Sequence, residues 1–207
     1  QTIKKSKIKN LQFKFFTHNN VFDEWGRAQG NQEPIANNIK LDDLHDKQNR
    51  VTSLELHSPN NVPMYNVIAR GTEVVSWVKA NKAIFHENIR GYRGQNQVNR
   101  ELITTIANEP ENFLIYNNGI TATSSNIVKD DVFLNCDRFQ IINGCQTAST
   151  LKEFDSSTKK LDDGTILSDQ EKQEILRKLR VQVRILDVGK GDKNRIIKDK
   201  LIKANNT

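Results

Sequence analysis

The chain has 207 residues, 36% of them hydrophobic and 27% charged; that is enough for one domain with a buried core, or a domain with an appendage, and too apolar for a disordered chain. No apolar run approaches the roughly 20 residues that span a bilayer, and two cysteines with four histidines exclude a disulfide-built secreted module and count against a Cys/His zinc site. The net charge of +6 sits at the ends: residues 1–20 carry five lysines and no acid, residues 171–207 are net +6, and residues 21–170 are net −5, a distribution that suits a phosphate-backbone surface or, equally, a solvated lysine-rich face.

In chain order, Ile8 to Phe16 alternate as a strand with one buried face. Residues 23–48 are polar, weakly patterned and punctuated by Gly26, Gly30 and Pro34, and read as a long loop or insertion. Val51–Leu56 is the next strand, closed by Ser58-Pro59-Asn60-Asn61, and a short Tyr65–Ala69 strand follows. Gly71-Thr72 opens a helix to about Ala83 with Val74, Val75 and Val78 facing inward. A glycine-punctuated loop, Asn88 to Asn96, feeds a helix from about Gln97 to Asn108 that Pro110 ends. Phe113–Tyr116 reads as a short apolar strand running into the Asn117-Asn118-Gly119 turn, after which Ile120–Ser124 resumes.

Ile127-Val128 and Val132–Leu134 flank a hairpin turn, and Phe139–Ile142 is a further strand that meets Asn143-Gly144 before a helix from Gln146 to Phe154. Ser168 and Glu171 form a capping box for a helix to about Leu179. Val181, Val183 and Ile185 alternate in a strand with Gln182 and Arg184 opposite, and a last helix runs roughly over 192–204. The fold class is α+β, a mixed sheet of short strands with four to five helices. Residues 1–59 form a strand-containing segment with a long polar loop, and residues 60–207 form the core domain.

Three segments could carry chemistry. In Gln140 to Ser149 a buried strand enters a glycine turn and then a helix, an arrangement that aims unpaired helix N–H groups past the strand end. Gly144 permits close approach, while Asn143, Gln146 and Thr147 supply neutral donors and acceptors; the competing reading is that Asn143 or Thr147 only caps the helix. Arg90, Gly91 and Arg93, with Asn99 on the following helix, place guanidinium forks on a glycine-rich loop suited to phosphate or carboxylate, unless Arg90 pairs with Glu87 or Glu101. Asn117, Asn118 and Gly119 are a turn whose interest is its position between the other two. Cys145 could be a helix-end thiolate, but no histidine or acid accompanies it in a recognisable nucleophile motif.

At these segments the sequence resembles the bacterial AIPR family, the abortive-infection phage-resistance proteins. The resemblance rests on Phe85 to Gly94 with Val98-Asn99, Glu109 to Phe113, Tyr116 to Thr121, Ile142 to Ala148 and the closing Ala204 to Thr207, and it covers about residues 60–207. Family members are typically longer, many have an amino-terminal region resembling a restriction endonuclease, and many are encoded beside restriction–modification or other defence genes. No complete nuclease signature is present here, and the closing Asn205-Asn206-Thr207 looks like a family motif cut short. A second likeness is to the ParB/sulfiredoxin-like fold, in which strand, glycine loop and helix surround a nucleotide; that group's basic residue is absent from the Asn143–Thr147 turn.

These readings imply a cytoplasmic antiphage-defence fragment that acts as a nucleic-acid-associated or ligand-sensing domain. Arg90 and Arg93 would hold an anion, Asn143, Gly144, Gln146 and Thr147 would form a helix-end pocket, and Asn117, Asn118 and Asn205 would close it. Lys193, Arg195, Lys198, Lys200 and Lys203 would face a nucleic-acid backbone. DNA or RNA and other defence-system domains are the expected partners, with no membrane and no metal. Two alternatives use the same residues: a phosphoryl-transfer enzyme binding a nucleoside triphosphate, and a protein-interaction scaffold within a defence complex.

Overall fold

In β3 (Pro63–Arg70) and β8 (Arg180–Asp187) every second residue is apolar and buried. Their antiparallel register sets Tyr65 opposite Ile185, Val67 opposite Val183 and Ala69 opposite Val181, so the two apolar rows fall on one face. On its other side β8 runs parallel to β4 (Ile120–Ser124), with Ile120 opposite Val183 and Ala122 opposite Ile185. Antiparallel β2 (Leu54–His57) and β7 (Gln140–Asn143) complete a five-stranded sheet of order β2-β3-β8-β4-β7. The fold class is therefore α+β with a mixed sheet, as expected from sequence.

A second sheet of order β1-β6-β5 is formed by β1 (Asn37–Lys40), β5 (Asn126–Asp130) and β6 (Phe133–Asp137). β5 continues β4 and β6 leads into β7, so one long hairpin serves both sheets and bends where it passes between them. Fully buried Ser124 holds the bend: its Oγ lies 2.8 Å from the Asn126 carbonyl and 2.7 Å from that of Asp137. Arg138 turns the opposing strand with a φ of 50°.

The apolar face of the main sheet packs under α1 (Gly71–Ala80), α4 (Cys145–Ser156) and α5 (Asp169–Lys178), with α2 (Gln97–Asn108) against α4. Val74, Val78, Leu151, Phe154 and Leu176 join the strand residues in one core. Each such side chain contributes about 1.5–3 kcal/mol when fully buried. The expected capping box begins α5: Ser168 N–H donates to Glu171 Oε2 at 2.8 Å and Glu171 N–H to Ser168 Oγ at 3.3 Å. Lys172, only 4% exposed, donates to the carbonyls of Ser157 at 2.9 Å and Asp155 at 3.2 Å. Its ammonium thus satisfies acceptors at the end of α4, where the helix dipole favours positive charge.

This structure is a computed structural model that describes residues 37–40, 54–57, 62–81, 83–86, 88, 97–130, 133–158, 160–161, 164–189, 196, 199–201, 203 and 204. Residue packing separates Gln1–Asn31 from Gln32–Thr207; the expected strand at 8–16 belongs to the first of these and lies outside the described residues. Two sequence expectations are corrected. Phe113–Tyr116 is a turn of helix, α3, not a strand: Pro110 starts a 3₁₀ turn over Pro110–Asn112 and Asn112 is already in the right-handed helical region, so the chain stays coiled until extended Asn117. Asn37–Lys40, placed in a loop by its polarity, is a strand because β6 supplies its hydrogen-bonding partner from Phe133–Cys136.

Candidate functional site

Two glycine turns lie against each other at the end of the main sheet where β4 begins and β7 ends. Gly119 (φ 74°) precedes β4, and Gly144 (φ 88°) follows β7 as the N-cap of α4. Neither tolerates a side chain. A Cβ on Gly144 would lie 2.6 Å from the Gly119 carbonyl oxygen, and one on Gly119 would lie 2.4 Å from the Gln182 carbonyl oxygen. Glycine is required at both positions for close approach as well as for the left-handed backbone.

Side chains lock the turns together. Asn117 Oδ1 accepts from Gly119 N–H at 2.8 Å, closing its own turn, while Asn117 Nδ2 donates to Thr147 Oγ1 at 3.1 Å. Thr147 is therefore spent on Asn117 rather than on capping α4. Asn143 turns back on the next residue, its Oδ1 accepting from Gly144 N–H at 2.7 Å. No side chain caps α4, and its first turn holds no acid, so the positive end of the helix is not neutralised from within. The capping reading of Asn143 and Thr147 thus does not describe their bonds.

Around this end Asn118 and Asn143 are exposed, and Gln146 is half-buried with its Oε1 buried and unpartnered. One turn of helix further on, fully buried Thr150 also has an unpartnered Oγ1. Gln140 at the start of β7 is 2% exposed with both amide atoms unpartnered. Sequence reading missed Gln140 and Thr150, since nothing in their spacing separates them from ordinary strand and helix residues.

The remaining expected site residues divide in two. Asn99 is buried in the first turn of α2, about 13 Å of helix away from the end of α2 that leads to the Asn117 turn. Lys200 and Lys203 are exposed helical residues. Arg90, Gly91, Arg93, Asn205, Lys193, Arg195 and Lys198 lie outside the described residues.

The thiol of Cys145 is buried beside Ser149 Oγ (3.8 Å); burial pushes it above its usual 9.0, with the Ser149 bond pulling it part of the way back. It is protonated at neutral pH and is not a helix-end thiolate. A shallow cleft between the far ends of α1 and α4 is lined by Lys79, Asp155 and Gln173 among others. There Lys79 and Gln173 both bond Asp155, which closes the network on itself. Among the described residues no three His, Cys, Asp or Glu side chains converge as a metal site would require, and no helix is long and apolar enough to cross a membrane.

The paired turns, Asn117–Gly119 and Asn143–Thr147, both fall inside residues 85–207, which match the family model described as AIPR protein. The chain belongs to the AIPR family. The match begins at Phe85, later than the resemblance read from the sequence, and takes in α2 through β8 and the C-terminal helical residues. AIPR membership associates the chain with bacterial phage resistance. No curated protein and no solved structure matches the chain.

Proposed function

We propose that this AIPR chain is a nucleic-acid-associated, ligand-sensing domain of an antiphage-defence protein. The observation that carries this reading is the pair of interlocked glycine turns. They set the uncapped, acid-free start of α4 beside the exposed amides of Asn118 and Asn143. Unsatisfied helix N–H groups suit an anion, and neutral amides suit a base edge or a sugar. A nucleoside triphosphate or the end of a nucleic-acid strand combines the two chemistries. Arg90 and Arg93 enter as further anion contacts, and Lys193, Arg195, Lys198, Lys200 and Lys203 as backbone contacts.

The ParB/sulfiredoxin-like analogy belongs to the same proposal. The strand, the Gly144 turn and the helix stand in the order that fold uses around a nucleotide, and a neutral turn replaces its basic one. The test is calorimetric titration of the purified chain with nucleoside triphosphates, short DNA and short RNA, at low and physiological salt. The expected result is saturable binding that Asn143→Ala weakens at least severalfold without changing the thermal melt. Binding to none of the ligands would overturn the reading and leave the scaffold alternative.

A further inference from the structure

We draw no further inference here: the strongest candidate, the exposed apolar patch that Leu114, Ile115 and Tyr116 form on the α3 turn, is an unpartnered face, and nothing in the structure shows what covers it.

Discussion

At Gly144 backbone conformation and packing coincide: a φ of 88° and a neighbouring carbonyl where a Cβ would be. The left-handed backbone alone costs a non-glycine residue about 1–2 kcal/mol. Displacing the Gly119 and Ile120 backbones adds to this, so Gly144→Ala is expected to lower stability by about 2–4 kcal/mol in urea denaturation. Cys136 gives a second residue-level prediction, this one in pH. Burial first, then Asp187 and Asp137, push its thiol from 9.0 up to about 12. In the unfolded chain it ionises near 9 while the folded chain keeps the proton, so the unfolded state binds fewer protons and stability falls as pH rises from 9 toward 12. Cys136→Ala should flatten that decline in denaturation curves taken on either side of 9, whatever it costs at neutral pH. The sequence marks Cys145 as a helix-start cysteine without a nucleophile motif; the burial of both thiols depends on packing that spacing does not reveal.

Among the elements, those with a local chemical signature were the legible ones. The Ser168–Glu171 box marks the start of α5, and the alternation of Val181, Val183 and Ile185 marks β8 and its inward face. Ser168→Ala is expected to cost about 1 kcal/mol. Its hydrogen bonds hold the Glu171 carboxyl below its usual 4.5, so this carboxylate's contribution is present above that value and fades as pH falls through the lower folded value. A Glu171→Gln variant should therefore melt below the parent at neutral pH and converge with it in acid. Short apolar Phe113–Tyr116 reads as a strand because a four-residue run carries no helical period, and what makes it helical is the 3₁₀ turn set by Pro110. β1 was illegible for another reason: Asn37–Lys40 has no strand pattern of its own and borrows its extended form from β6. In the candidate site, the Gly144 turn and Asn117–Gly119 could be read singly, but the Asn117–Thr147 bond that joins them spans 30 positions and appears only in three dimensions.

On the scale of the whole molecule, the main sheet is two-sided in chemistry as well as in packing. One face is aliphatic and covered by helices; the other presents Arg70, Arg180 and Arg184. The basic character that the sequence concentrates near residues 171–207 is thus divided among α5, with Lys172, Arg177 and Lys178, β8, and the residues beyond it. A charge count along the chain cannot separate them, because Arg180 and Arg184 alternate with core residues within a single strand. The strand that carries them is also the keystone of the sheet, bonded to β3 on one side and to β4 on the other.

The central place of β8 has a consequence for the order of assembly. β2–β3 and β4–β7 are each hairpins or near neighbours in sequence, and each can pair as soon as it is synthesised. The strand that joins them comes last, and its parallel partner β4 lies about sixty residues upstream. Until residues 180–187 leave the ribosome, β3 and β4 each present an open apolar edge to the cell, the state in which nascent chains aggregate or recruit chaperones. Insertion of β8 closes both edges at once and brings Gln182 against Gly119, so the sheet and the paired glycine turns mature in one late, non-local step.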